Sequence, residues 1–235
     1  MTTWAKGPFL GFDTETTGVA TGSDRIVTVA LIERRAGEED HVRTWMIDPG
    51  IDIPEEATRI HGITTEMART HGAPPEQGLE EVADALVGAL SIGTPIVGFN
   101  VPFDLDILQS ELQRHGLPTL ADRLPAGIAP VLDPLVIDRT KARFRKGKRG
   151  LAKLINAYAL PGRDDFHSAK GDVMATLDLL EAMLQTYPDL LDMNLEEIHA
   201  WQVEAHAQWA ADMNAWRETK GFDGPPISAG WPLGD

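Results

Sequence analysis

Residues 12–18 read Phe-Asp-Thr-Glu-Thr-Thr-Gly, and their spacing is the first sign of chemistry. On an extended strand, positions i and i+2 share a face, so Asp13 and Glu15 project together directly after the apolar pair Phe9 and Leu10. Two carboxylates 4 Å apart repel by roughly 4 kcal/mol at an effective dielectric near 20. A divalent cation turns that repulsion into attraction. A second group is Val97, Gly98, Phe99, Asn100, Val101, Pro102, Phe103 and Asp104. Here a buried strand ends, Asn100 turns the chain and Pro102 sits where a helix can start. That puts Asp104 in the first turn, near the positive end of the helix dipole. The third group runs Phe166, His167, Ser168, Ala169, Lys170, Gly171 and Asp172, then Val173, Met174, Ala175 and Thr176. Ser168 can cap a helix that brings Asp172 round within its second turn. His167 then lies on the preceding loop, and the small Ala175 lets the helix approach a sheet closely.

Each group alone has a plain structural reading: solvated acids on an edge strand, an aspartate at a helix start, one of seven histidines near an acid. Taken in order, D-x-E-T-T-G, N-x-x-F-D and H-x-A-x-x-D-x-x-A-T resemble the DnaQ-like, DEDDh-type 3′→5′ exonucleases. That family includes proofreading subunits of bacterial replicative polymerases. The resemblance covers about residues 8–185. It implies an α/β, ribonuclease H-like fold: a mixed β-sheet flanked by helices, here with a C-terminal helical extension. It also implies two divalent cations, Mg²⁺ or Mn²⁺, and release of nucleoside 5′-monophosphates from free 3′ ends. Asp13, Glu15, Asp104 and Asp172 match the family's metal-binding carboxylates, and His167 its general base, a role suited to imidazole. The run Ile60, His61, Gly62, Ile63, Thr64 looks like the family's H-G-I element, whose histidine lies by the terminal nucleotide. Thr16, Thr17, Gly18, Phe99, Asn100 and Phe103 fall at nucleotide-binding positions; Phe99 departs from the histidine found in many members. Asp133, after Val131 and Leu132, matches a family strand end and reads as structural.

The resemblance favours DNA as the nucleic acid with a free 3′ end and leaves RNA 3′-end or oligoribonucleotide trimming open. A catalytically weak, polymerase-associated binding or scaffold module is the alternative from another class. Composition narrows the field further. The 235 residues carry 36 acids against 21 bases, a net charge of −15, and no cysteine. Disulfides, thiolate metal sites and a cysteine nucleophile are thereby excluded. A protein this acidic does not coat nucleic acid by bulk electrostatics. Seven of the 21 cations nevertheless fall between positions 139 and 149, with no acid among them. Arg143, Arg145, Lys146, Lys148 and Arg149 are candidates to hold the substrate backbone; the other reading is a solvated loop. No signal-like segment and no membrane-length apolar run are evident, so a soluble, cytoplasmic protein is expected.

Hydrophobic periodicity supplies the scaffold for these groups. Strands are expected over 9–13, 25–33, 42–48, 95–100 and 130–132. Helices are expected over 55–60, 78–90, 103–115, 135–144, 151–158 and 169–186. A boundary near residue 187 divides an exonuclease-like domain, 1–187, from a tail, 188–235. In the tail, Asn194 caps a helix over 195–219 whose stripe is Ile198, Trp201, Ala205, Trp209, Met213 and Trp216. That face either covers its own domain or meets a partner, a polymerase or a second copy.

Overall fold

The computed structural model describes residues 3–162 and 167–234. Phe166, quoted with the third motif, lies outside them. A 3₁₀ turn at Thr3–Lys6 leads to β1 (Phe9–Thr16), β2 (Ile26–Arg34) and β3 (His41–Met46). Then come α1 (Glu55–His61), α2 (Thr65–His71), α3 (Pro75–Ser91), β4 (Ile96–Val97), α4 (Val101–Arg114) and α5 (Leu120–Arg123). The chain continues through β5 (Val131–Leu132), α6 (Pro134–Lys141), α7 (Leu151–Ala157) and α8 (Ala169–Thr186). A second 3₁₀ turn, Pro188–Asp192, precedes α9 (Leu195–Thr219). The sheet order is β3-β2-β1-β4-β5, with β1–β3 antiparallel and β4 and β5 parallel to β1. This is the expected mixed sheet with helices on both faces. Among the described residues no helix is long and apolar enough to cross a membrane.

Alternation along β1 divides the core in two. Leu10 and Phe12 join the layer under α3 and α4, with Leu86, Leu105 and Leu108. Phe9 points the other way, into the layer built by α8 through Val173, Leu177 and Leu180. The closest approach of α8 to the sheet is set by Gly11 on the strand, where Ala175 was the expected small residue. A Cβ at Gly11 would lie 2.4 Å from Val173 Cγ1 and 3.0 Å from Leu177 Cδ1. Ala175 is itself fully buried in the same layer.

The element pattern departs from expectation in three informative places. β1 continues through both acids to Thr16, because its neighbour β2 stays paired to it along that length. Helix α2 was not anticipated, since Ala68 is its only buried residue and no apolar stripe marks it; the Thr64 hydroxyl caps it at Met67 N, 3.1 Å away. Helix α9 has the expected bounds but a different seam. Its buried residues are Ile198, Gln202, His206 and Ala210, four apart, while Trp201, Trp209 and Met213 flank them and Trp216 is exposed.

The seam is partly polar because it faces a sheet edge. β5 pairs with β4 on one side only, leaving outward backbone groups that need partners. Gln202 Nε2 donates to the Val131 carbonyl at 3.0 Å, Gln202 Oε1 accepts from Asp133 N at 2.8 Å, and His199 Nδ1 accepts from Val131 N at 3.2 Å. Beyond α9 the chain folds back, burying Trp231 in the α3–α4 layer. Replacing Gln202 by Leu would leave buried backbone groups at Val131 and Asp133 unpaired. A loss of about 1–3 kcal/mol in denaturant unfolding is expected; unchanged stability would show that the edge does not depend on this side chain.

Candidate active site

The odd positions of β1 carry Gly11, Asp13 and Glu15 toward α8, and the even position Thr14 toward α4. Asp172 lies in the first turn of α8, one turn earlier than expected, directly above this face. Asp13, Glu15 and Asp172 each offer a carboxylate oxygen, and these atoms lie within 4.8 Å of one another. The β1–β2 register shifts immediately after Glu15, so the strand changes course just past the cluster. Asp104, in the first turn of α4, approaches from the other face and is buried. Its Oδ1 accepts from Thr14 N at 3.0 Å and from the Thr14 hydroxyl at 2.7 Å. Thr14, between the two acids of the first motif, was not singled out from sequence. Its parity on the strand was the available signal.

The turn that presents Asp104 is fixed from β5. Asp133 Oδ1 accepts from Asn100 N at 3.1 Å and Leu135 N at 2.8 Å, and Oδ2 accepts from Val101 N at 3.1 Å. Asp133 is therefore structural, as expected, and it holds the Asn100 turn in place. Asn100 has φ 60° and His167 φ 67°, two of the three non-glycine residues in left-handed conformation among those described. Such conformations are costly and persist only where surroundings impose them. His167 is exposed on the loop before α8, and its backbone N–H donates to Asp172 Oδ1 at 3.4 Å.

The remaining candidates surround this centre. Glu15 and His61 line one recess of about 200 Å³ together with Trp45, Ile63 and Ser168. His61 Nδ1 accepts from Ile63 N at 3.1 Å, which places the ring proton on Nε2, a buried atom. Phe99 and Phe103 are half-buried. Thr16, Thr17 and Gly18 form a compact turn between β1 and β2. The Thr16 hydroxyl donates to the Gly18 carbonyl, and the Thr17 hydroxyl donates to Asp24 Oδ1 while accepting from Arg25 N. A Cβ at Gly18 would meet Asp24 Oδ2 at 2.5 Å and displace the carboxylate that binds the turn.

The basic segment is less free than its sequence implied. Arg145 and Arg149 both close on Asp138, which is fully buried and also accepts from the Tyr158 hydroxyl. Arg143 lies 3.6 Å from Asp212 on α9, with its side chain 73% exposed. Lys146 and Lys148 are exposed.

Against this geometry, the sequence profile of the RNase_T exonuclease family matches residues 10–180, a span that contains all four carboxylates and His167. The chain belongs to this exonuclease family. A DNA polymerase III subunit epsilon-like protein of Rhodobacter capsulatus is 32% identical over 219 residues, covering 89% of this chain and 28% of that relative. The PolC-type DNA polymerase III of Lacticaseibacillus paracasei is 29% identical over 179 residues, covering 76% of this chain and 11% of its own length. This chain thus spans about a quarter of the first relative and about a tenth of the second. Among solved structures, E. coli exonuclease I in complex with a dT13 oligonucleotide superposes with a TM-score of 0.66 at 22% identity, over 78% of this chain and 42% of that one. The fold is therefore ribonuclease H-like, as the sequence motifs implied.

The acids of this cluster sit in a mutually repulsive electrostatic setting. Burial raises the Asp13 carboxyl well above its ordinary value, and Asp104, Asp172 and Glu15 push it further. Burial, with Asp172 beside it, raises Glu15 to about 7. Asp104 is raised to about 7, again chiefly by burial and against the pull of the two Thr14 donors. The donor set is all hard oxygen, which suits Mg²⁺ or Mn²⁺. A carboxyl whose folded pKa is raised stabilises the fold below its unfolded pKa, and that contribution is lost as pH climbs through the folded value. Chelator-treated protein should therefore melt at progressively lower temperature between about pH 5 and about pH 8. Mn²⁺ should reverse the fall, and Glu15→Gln should flatten it. A melting temperature indifferent to both pH and cation would contradict this account of the cluster.

Proposed function

We propose that this protein hydrolyses the terminal phosphodiester bond at 3′ ends of DNA and releases nucleoside 5′-monophosphates. The observation that carries the proposal is the convergence of Asp13, Glu15 and Asp172 from two distant segments onto one face, with Asp104 entering from the opposite side. Asp13, Glu15, Asp104 and Asp172 would hold two divalent cations. When bound, such ions supply Lewis acidity and offset charge on the attacking and leaving oxygens of an in-line displacement.

The chain's own groups do the rest. Thr14 fixes one oxygen of Asp104, so that carboxylate arrives in a set orientation. His167 takes the proton of the attacking water as its oxygen bonds to phosphorus. The bond from phosphorus to the 3′ oxygen breaks, and that oxygen leaves with the shortened strand, taking a proton. His61, which lines the recess beside Glu15, and the half-buried Phe103 would meet the terminal nucleotide. DNA is favoured over RNA because the relatives are DNA polymerase III chains and the superposed exonuclease I holds an oligodeoxynucleotide. The same relatives favour work beside a DNA polymerase.

End-labelled single-stranded DNA, duplex DNA and RNA, incubated with Mg²⁺, Mn²⁺ or chelator, test the reading directly. Stepwise shortening from the 3′ end that depends on cation is expected, fastest on DNA. Asp13→Ala should reduce it to background while keeping the fold, and full activity in that variant ends the proposal. His167→Ala should lose on the order of 10²–10⁴ in rate and flatten the pH–rate profile. An unaltered profile would remove His167 from the role of base.

A further inference from the structure

Helices α6 and α9 leave the sheet edge at the same point. Asp133 caps α6, and Gln202 of α9 binds the backbone of that same Asp133. His199 and Gln202 meet Val131 and Asp133 in ascending order, so α9 runs in the direction of β5. It therefore continues past the strand's carboxyl end, the end at which the Asn100 turn presents Asp104. With 1.5 Å of rise per residue, Trp209 stands roughly 10 Å and Trp216 roughly 20 Å beyond Gln202. Helix α6 stays alongside, since the Arg139 guanidinium lies over the Trp209 ring at 3.5 Å. Between the two helices opens a cleft of about 480 Å³, lined among others by Arg139, Arg143, Trp209 and Trp216.

We infer that this cleft is a subsite for the single-stranded nucleic acid upstream of the terminal nucleotide, with Trp216 as a base-stacking platform and Arg143, Lys146 and Lys148 engaging phosphates. The inference rests on the exonuclease reading and extends it to where the strand runs. Three observations converge. Trp216 is 48% exposed and tilted against exposed Phe222, with ring centroids 5.4 Å apart; Phe144, on the basic loop itself, is 92% exposed. Aromatic faces beside cations are the usual platform for single strands, because every base has a face to stack. The sign of charge also fits, for a chain of net −15 concentrates a third of its cations here. Of these, Arg145 and Arg149 are engaged by buried Asp138, whereas Arg143 meets only the exposed Asp212 at 3.6 Å with its side chain 73% exposed, and Lys146 and Lys148 face solvent. Finally, the cleft rises from the end of the sheet that carries the carboxylates, so a strand whose 3′ end sits at Asp13 has this ridge within reach.

The test compares a 20-nucleotide single-stranded DNA with the p-nitrophenyl ester of thymidine 5′-monophosphate, which is too short to reach the cleft. Trp216→Ala should lower kcat/KM on the oligonucleotide relative to the ester by about tenfold, and Trp216→Phe should restore most of the ratio. The triple variant Arg143→Ala, Lys146→Ala, Lys148→Ala should reduce the slope of log affinity against log salt by about two for the labelled 20-mer bound in Ca²⁺. Equal losses on both substrates, or an unchanged salt slope, would overturn the inference and leave the ridge as a protein-facing or solvated surface. If the wild-type protein cleaves neither substrate, the exonuclease reading fails instead, and the Ca²⁺ binding arm still decides the cleft.

Discussion

Like charges forced into proximity are the constraint around which the molecule is organised. Asp13, Glu15 and Asp172 bring ligand oxygens within 4.8 Å, and burial adds to their mutual repulsion. Such a cluster would spread apart unless rigid elements prevented it. The restraint comes from several directions at once. The β1–β2 ladder fixes the strand, the close contact at Gly11 seats α8 against it, and two donors from Thr14 hold Asp104. Asp133 then anchors the turn from which α4 departs. A cluster held in this way has its geometry already in place, so binding a cation would require little rearrangement.

The same constraint explains how much of the site was legible in the sequence. The acidic residues and His167 stand at motif positions whose residue types no ordinary packing role requires together, and the period-2 pattern of β1 fixes which of them share a face. Long amphipathic stretches, α8 and α9, were recoverable to the residue. Two short helices, α2 and α5, were not. Helix α2 buries only Ala68 and leaves no hydrophobic signature. The seam of α9 was misread because apolar periodicity weighs tryptophan above glutamine, whereas an uncovered strand edge calls for groups that donate and accept. Roles of Thr14 and Gly11 depend on which segments meet across the fold, information that no local pattern carries.

The basic segment shows charge being used in two ways within a few residues. Arg145 and Arg149 neutralise a carboxylate with no access to water, and losing either would leave that buried ion with less counter-charge and an unmet hydrogen bond. Their neighbours Lys146 and Lys148 carry the same charge outward. A count of cations along the chain cannot separate these roles. The position of Asp138, on the inner face of α6, does so.

Parity on β1 has a consequence for how this chain can change. Side chains there alternate between two helices, so adding or deleting one residue upstream of Asp13 within the strand would swap the audiences of the two acids and the threonine between them. Loops elsewhere, such as the glycine-containing turn between β2 and β3, can lengthen without that exchange. Variation within the lineage should therefore accumulate as point substitutions in β1 and as length differences only outside it, a restriction on mutation type rather than on any single amino acid.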